Sequence, residues 1–343
     1  MHLIADAWDG EKSDLDFSVF DRDYSTISFA AEDLCILGVP SFGGRVPAAA
    51  LARLVQMKAK NTPTILVAAY GNRDYDDTLA ELKEALSPNG FRVIAAIAAV
   101  TEHSIMRQFG AGRPNAEDEN VLRGFAKTIR QALEQAAVLP EITLCGNTPY
   151  RDYAGLPLRP KASAACTKCG LCAALCPVHA IPPDQPSATQ KDRCITCMRC
   201  VAVCPQHARA LNPVMLFAAA KKMEKSCSSP KENVLFFETR RNKRGRASFG
   251  PAIFSPGRLE RRLPRIPYTE RSFRSVFLCS KEVFCHDRAG ADYYTNLFQP
   301  NRRPKATTAS TDFRSLPFSQ RACPCGSIAA AWPKSRPPTI RSG

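Results

Sequence analysis

Short apolar runs alternate with segments of helical spacing over residues 33–139. The apolar runs predict buried strands at 33–39 (DLCILGV), 64–70 (TILVAAY) and 91–100 (FRVIAAIAAV). Hydrophobic residues recur at helical spacing in 46–57, in 77–86 and in a segment that begins near Asn115. A strand, a loop and a helix, repeated in this way, predict an α/β fold in which a parallel sheet has helices on both faces.

Two cysteine runs, residues 166–180 and 194–208, follow this region, and each has the spacing C-x2-C-x2-C-x3-C-P. Thiolates are soft ligands that suit zinc or iron–sulfur clusters. Three cysteines at x2 intervals can wrap one face of a four-iron cube, whereas the cysteine before the proline lies beyond reach of that cube and binds the other one. The spacing therefore predicts two 4Fe–4S clusters, with zinc or a structural role as the alternative.

This exchange gives each cluster three cysteines from one run and one from the other. The first predicted ligand set is Cys166, Cys169, Cys172 and Cys204, and the second is Cys194, Cys197, Cys200 and Cys176. The residues expected to form a dry shell are Leu171, Ile181, Ile195, Met198 and Val203. Because every ligand position is cysteine, no iron is left open for a substrate. That favours electron carriage over catalysis and leaves enzymatic activity uncertain. Residues 160–212 closely resemble a bacterial-type ferredoxin domain.

Two loops follow predicted strands at the edge where parallel sheets bind ligands. One is SFGGR (41–45) and the other is YGNRDYDD (70–77). Each combines an aromatic residue with glycine and polar groups, which suits a flat ring with polar edges. Ordinary glycine-rich turns between strands and helices have the same composition, so both interpretations stay open at this point.

A resemblance favours the ligand-binding interpretation. The segments GVPSFGGRVP (38–47), YGNRDYDD (70–77), EHSI (102–105) and FGAGRP (109–114), followed by the cysteine runs, are similar to flavodoxin–ferredoxin fusion proteins of anaerobic bacteria. The similarity extends over about residues 1–238. It implies a flavodoxin-like first domain that holds FMN, and redox proteins as partners. The implied ring-contacting residues are Ser41, Phe42, Gly43, Gly44, Tyr70, Gly71, Asn72 and Arg73.

The beginning of the chain departs from this family pattern. A flavodoxin opens with a strand and a Ser/Thr/Gly loop whose amides bind the FMN phosphate at a helix N-terminus. Residues 2–9 are interpreted instead as the end of the first helix, and residues 16–20 (DFSVF) as the second strand. The missing strand would lie in mid-sheet, because flavodoxin order is 2-1-3-4-5. We therefore expect a truncated start, a gap beside residues 33–39 and little or no bound FMN.

The formal charge of +15 is confined to one end of the chain. Residues 1–238 contain 26 basic and 26 acidic residues, whereas residues 239–343 contain 21 and 6. The basic segment lacks any sustained period, so it is predicted to be disordered and to add nothing to a core. An Arg-rich arm can bind nucleic acid, which makes a nucleic-acid-binding protein the second alternative function. We favour the other interpretation, in which the segment arises from read-through or frame-shifted translation and binds no nucleic acid.

The sequence thus predicts an electron-transfer protein. The predicted regions are a flavodoxin-like domain with a truncated start (1–139), a linker (140–160), a two-cluster ferredoxin domain (161–212), a C-terminal extension (213–238) and a disordered tail (239–343). A carrier that uses only the clusters, with the first domain as a docking module, is the alternative. Because the chain shows no secretory signal and no apolar run of membrane-spanning length, we expect it in the cytoplasm, away from membranes.

Overall fold

The computed structural model describes residues 1–136, 139–238 and 274–279, the last six by their backbone alone. The helices are α1 (His2–Ala5), α2 (Ala48–Leu54), α3 (Thr78–Leu86), α4 (Ala116–Gln135), α5 (Leu171–Ala174), α6 (Arg199–Ala202) and α7 (Pro213–Cys227). The strands are β1 (Lys12–Asp16), β2 (Ser28–Phe29), β3 (Asp33–Pro40), β4 (Lys58–Ala59), β5 (Thr62–Tyr70), β6 (Phe91–Val100), β7 (Lys161–Ala162), β8 (Arg209–Ala210), β9 (Val234–Phe237) and β10 (Arg274–Cys279).

The main sheet has the strand order β1-β10-β3-β5-β6-β9. All neighbours from β1 to β6 are parallel, and β9 pairs with β6 in the antiparallel sense. Successive residues of a strand point to opposite faces, so both faces of β3, β5 and β6 carry apolar side chains. One face packs against α2 and α3, and the other packs against α1 and α4. The predicted α/β fold with a parallel sheet is confirmed.

Helix α4 begins where the sequence predicts. Asn115 caps it, because its side chain accepts a hydrogen bond from Asp118 N while the Asp118 carboxylate accepts one from Asn115 N. This capping box satisfies two backbone donors that the first turn would otherwise leave unpaired. The buried side chains Leu122, Phe125 and Ile129 then hold the helix on the sheet.

The strand expected at residues 16–20 lies earlier in the chain, at Lys12–Asp16. Asp16 ends it, because its carboxylate accepts hydrogen bonds from Ser18 N (2.9 Å) and Ser18 Oγ (2.6 Å) and so closes a turn. Phe17, the first apolar residue of the predicted strand, is fully buried in the core beside this turn. Its hydrophobicity therefore reflects burial in a loop rather than in the sheet.

The expected gap in the sheet is filled by β10. Its residues pair with β1 on one side and with β3 on the other, where Cys279 lies opposite Asp16 and Gly38. A strand in this position pairs backbone groups that β1 and β3 would otherwise leave open. Residues 274–279 therefore depart from the expectation of a disordered tail, and the rest of that tail lies outside the described residues.

The chain returns to the sheet after the cysteine runs. Helix α7 begins at Pro213, and Asn212 caps it by accepting hydrogen bonds from Val214 N (3.0 Å) and Met215 N (3.1 Å). Strand β9 then pairs with residues 95–98 of β6. The region after the cysteine runs thus completes one edge of the sheet that precedes them.

Candidate metal centre

The two cysteine runs fold in the same way, 28 residues apart. Left-handed backbone recurs at equivalent positions: Lys168 and Thr196 (φ 57° and 57°), Gly170 and Met198 (80° and 66°), and His179 and His207 (48° and 47°). A four-residue helix starts directly after Gly170 and again after Met198. Such residues reverse the backbone tightly, so the repeated spacing produces a repeated loop geometry.

The folded runs enclose two cavities, each ringed by four cysteines. Cavity 1, with about 330 Å³ of empty space including open solvent, is ringed by Cys166, Cys169, Cys172 and Cys204. Cavity 2, with about 340 Å³ on the same measure, is ringed by Cys176, Cys194, Cys197 and Cys200. Each cavity combines three cysteines of one run with the last cysteine of the other, which is the grouping that the interleaved ligand sets require.

Backbone N–H groups point at the exchanged sulfurs. Ala180 N donates to Cys176 Sγ at 3.2 Å, and Ala208 N donates to Cys204 Sγ at 3.3 Å. The two cysteines that cross between the runs are therefore held in place by the backbone four residues further on.

The predicted dry shell is found mainly around cavity 2. Ile181, Ile195 and Met198 line that cavity, and Val203 packs beside Cys172 and Cys200 in a small apolar cluster. Leu171 also lines a cavity, cavity 1, but 40% of its surface is exposed. For Leu171 a dry position stays a prediction, because this first residue of α5 lines cavity 1 and its exposed surface includes the part that faces the cavity.

The two cavities differ in how much of the chain covers them. Cys169 and Lys168 are exposed beside cavity 1. The equivalent loop at cavity 2 is covered by the linker: Thr196 is buried, its hydroxyl donates to Leu158 O (2.6 Å), and Arg159 Nη1 contacts it at 2.9 Å. Cavity 1 is thus the more open site of the two.

The thiols of cavity 2 suit coordination to a metal. Burial raises the pKa of the Cys200 thiol to about 12, against a smaller opposing influence of the Arg209 charge. Such a thiol keeps its proton at neutral pH, whereas a coordinating thiol is deprotonated outright. A bound metal would therefore favour the thiolate form of Cys200.

Arg209 is a residue that the sequence reasoning missed. It lines cavity 1 and is 2% exposed. Its counterpart 28 residues earlier is Ile181, so an alignment of the two runs would have revealed the exchange of an apolar residue for a charged one. Three further lining residues, Pro160, Pro186 and Thr189, come from outside the runs and carry no such signal.

Nowhere in the described residues do three or more His, Cys, Asp or Glu side chains converge tightly enough for a single metal ion. A zinc ion would draw its sulfurs to within about 2.3 Å of one centre. The cysteines instead stand around the walls of cavities 1 and 2.

The loop at 41–45 is a tight turn covered by the linker. Phe42 N donates to Arg45 O (2.9 Å), and between them Gly43 and Gly44 have φ of 62° and 88°. A Cβ on Gly43 would lie 2.1 Å from the Tyr153 ring. The ring that covers this loop is therefore the Tyr153 side chain of the same chain, and the contact with FMN that the resemblance implied stays a prediction. Ser41 Oγ is engaged too, at 2.8 Å from Thr78 Oγ1.

The loop at 70–77 is covered by the C-terminal extension. Tyr70 OH donates to Glu232 O (3.0 Å), and burial raises its pKa. The buried Asn72 amide donates to Cys227 O (2.6 Å) and Ser229 O (3.1 Å). Gly71 lies against His103, and Arg73 forms an ion pair with Asp76. The structure thus brings the eight implied flavin residues to one sheet edge and engages several of them internally.

A third loop at this edge, residues 16–24, contacts the cysteine runs. Arg53, on α2, donates to Phe17 O (3.0 Å) and to Pro177 O. The His179 ring stacks on Phe20, with ring centres 3.8 Å apart. Arg199 forms an ion pair with Asp16 at 3.5 Å. Pro177 lines cavity 2, so the sheet contacts the cysteine runs on the side of cavity 2.

Comparison with known families agrees with this geometry. Residues 165–208 match the sequence profile of the 4Fe-4S dicluster domain family. This match supports a ferredoxin-like domain and iron–sulfur electron transfer. No curated protein matches the chain. Among the helices of the described residues, none is long and apolar enough to cross a membrane.

Proposed function

We propose that this protein carries single electrons through two 4Fe–4S clusters, one in each cavity. Cys166, Cys169, Cys172 and Cys204 hold one cluster, and Cys176, Cys194, Cys197 and Cys200 hold the other. The observation that carries the proposal is the grouping of the cysteines around two cavities, each lined by three cysteines of one run and the last cysteine of the other. When bound, a 4Fe–4S cluster accepts or releases one electron.

The protein's own groups fix and shield these sites. Thiolates from both runs hold each occupant, and the N–H groups of Ala180 and Ala208 fix the exchanged cysteines. Ile181, Ile195 and Met198 exclude water from cavity 2. With four cysteines in each ring, no position is left for a substrate. The partners of such a carrier are other redox proteins, and its thiolates suit a reducing compartment such as the cytoplasm.

The sheet supports a relationship with flavodoxins. With β10 in the place of a first strand, the parallel strands β1, β10, β3, β5 and β6 follow the order 2-1-3-4-5, which is that of flavodoxin. The flavin loops do not fit FMN as they stand, however. Tyr153 lies on Gly43, and Asn72 is bonded to Cys227 and Ser229. We therefore propose that the sheet is a scaffold on which the cysteine runs pack, and that electrons do not pass through FMN in this protein.

Anaerobic purification followed by iron, sulfide and flavin analysis tests the proposal. We expect about eight irons and eight sulfides per chain from two four-iron clusters, with a broad visible absorption. Extracted flavin should be far below one per chain. Zinc in place of iron would overturn the redox function. Stoichiometric FMN would overturn only the scaffold role of the sheet.

A further inference from the structure

The two cysteine runs place different residues at one equivalent, fully buried position. Ile181 lines cavity 2 and Arg209 lines cavity 1, and each is 2% exposed. The local geometry is the same in both runs. Ile181 and Arg209 each come directly after an alanine whose backbone N–H donates to the last cysteine of the run. The sites therefore differ in that a buried positive charge lines cavity 1, although the same charge also has a minor influence on the pKa of Cys200 of cavity 2.

Only neutral groups hold the Arg209 guanidinium within the described residues. Nη1 donates to Thr189 Oγ1 (2.8 Å), and Nη2 donates to Ala188 O (2.9 Å) and to Pro186 O. Nε is buried and has no hydrogen-bond partner there. A guanidinium keeps its charge in proteins, and a buried charge without a counterion is strongly unfavourable. The anion that would compensate Arg209 belongs in cavity 1.

We infer that Arg209 raises the reduction potential of the cluster held in cavity 1 above that of the cluster in cavity 2. The inference rests on the proposed function. One-electron reduction adds a negative charge to the cluster, and a nearby positive charge stabilises that reduced state more than the oxidised one. Net charge and hydrogen bonds to sulfur are established determinants of cluster potential. The Ile181 side chain supplies neither a charge nor a hydrogen bond to cavity 2.

This inequality gives electron transfer a direction. With both clusters bound, an electron would be favoured at cavity 1 over cavity 2, which lies beside the sheet, and its transfer would need no change of bonds or protons. Arg209 keeps its own charge throughout. Because Cys169 is exposed, the electron reaches the site that is more open to an outside acceptor.

Arg199 provides a matched control. It too is buried and has an unpartnered Nε within the described residues, and its counterpart in the first run is the apolar Leu171. It pairs, however, with the Asp16 carboxylate (3.5 Å) and is absent from the linings of cavities 1 and 2. A paired charge has a weaker net field, so Arg199→Leu should change the cluster potentials much less than Arg209→Ile.

The test is a redox titration of full-length protein, monitored by electron paramagnetic resonance, for wild type, Arg209→Ile, Arg209→Lys and Arg199→Leu. We expect Arg209→Ile to lower the higher of the two potentials by about 59 mV or more, a tenfold change in the one-electron equilibrium. Arg209→Lys, which keeps the charge, should retain most of the separation.

Iron content separates the failure of this inference from the failure of the proposed function. If Arg209→Ile retains both clusters and neither potential falls, or if both fall equally, the inference is wrong while the carrier function stands. If Arg209→Ile loses iron, Arg209→Gln keeps hydrogen-bond donors without the charge and should produce the same selective fall. A wild-type protein without iron–sulfur clusters would overturn the proposed function itself.

Discussion

The cysteine runs and the two loops at 41–45 and 70–77 both contain residues that sequence patterns assign to a cofactor, but they fold in opposite ways. The runs enclose cavities that are ringed by thiols. The loops are covered by groups of the same chain, among them Tyr153 and the carbonyls of Cys227 and Ser229. The spacing of the cysteines brings the ligands of each cavity together, whereas the loop motifs do not determine which groups cover the loops.

Sequence distance explains the contrast. Within a run, successive cysteines are three or four positions apart, and turns between them bring their sulfurs together. In the loops, the covering groups lie far along the chain, and Asn72 contacts residues 155 and 157 positions later. Short-range geometry is fixed by spacing, whereas contacts at such distances depend on the whole fold.

The largest expected effect tests the cysteine runs. Cys176→Ala should abolish the cluster of Cys194, Cys197 and Cys200 and leave the other intact, because Cys176 lines cavity 2. Iron content should fall by about half, from eight to four, since each cluster has four irons. Cys204→Ala should give the mirror-image loss, and the exposed Cys145, outside both cavities, provides a neutral control. If Cys176→Ala removed the Cys166 cluster instead, the interleaved assignment would be refuted.

The next effect concerns the sheet that supports the loops. Val276→Pro should reduce the free energy of unfolding by more than about 3 kcal/mol, because proline removes a ladder hydrogen bond and strands in mid-sheet tolerate it poorly. Val276 pairs with Ser13 and Cys35 on either side. Denaturant unfolding followed by Trp fluorescence measures the change, with Val276→Ile as the control. Equal stability of the two variants would mean that β10 does not support the sheet in solution.

The Asn72→Ala substitution tests whether contacts with the C-terminal extension (213–238) stabilise the loop at 70–77. Asn72→Ala leaves two carbonyls and Lys231 N without their side-chain partner, and each lost buried hydrogen bond costs about 1 kcal/mol. We expect these three bonds to cost about 3 kcal/mol in urea unfolding, in addition to the backbone strain of Ala at this left-handed position, with unchanged iron content. Asn61 is exposed and has the same left-handed backbone; Asn61→Ala should cost about 1 kcal/mol, for backbone strain alone. Equal costs for the two variants would argue against this stabilisation.

The smallest effect is a pH dependence at the same edge. Burial lowers the pKa of His103 to about 4, and Ile105 N and Met106 N both donate to its Nδ1 at 3.2 Å. Because the unfolded chain binds this proton at higher pH than the folded chain, stability is full above about pH 6.5 and falls as the pH drops towards 4.

The loss should reach about 2 kcal/mol once the partial exposure of the ring is allowed for. Urea unfolding at pH 7 and pH 4.5 measures it, and His103→Asn, which offers an acceptor that does not titrate, should remove most of the difference. If the pH dependence of the unfolding free energy were the same in His103→Asn as in wild type, the effect would come from other titratable groups.

Much of the fold was accessible from the hydrophobic pattern. The strands near 33–39, 64–70 and 91–100 appear as β3, β5 and β6, and α4 begins after Asn115. These elements are long, strongly apolar or capped, so local preference and tertiary packing agree. The strand predicted at 16–20 was displaced, because the Asp16 side chain closes a turn that hydrophobicity alone cannot reveal.

The sequence by itself determined the cysteine sites. Each run places four cysteines within eleven residues and a proline after the last of them, which leaves few ways to arrange the thiols. The interleaved grouping follows because each loop is too short for its last cysteine to reach the cluster of its own run. Local chemistry of this kind depends little on the rest of the chain.

The tertiary structure alone decided what surrounds those sites. It inserted residues 274–279 between β1 and β3, laid Tyr153 on Gly43 and buried Arg209 against cavity 1. Each of these results depends on competition between distant segments for the same backbone hydrogen bonds or the same buried volume. Such competition is settled by the free energy of the complete fold, and no local pattern in the sequence records its outcome.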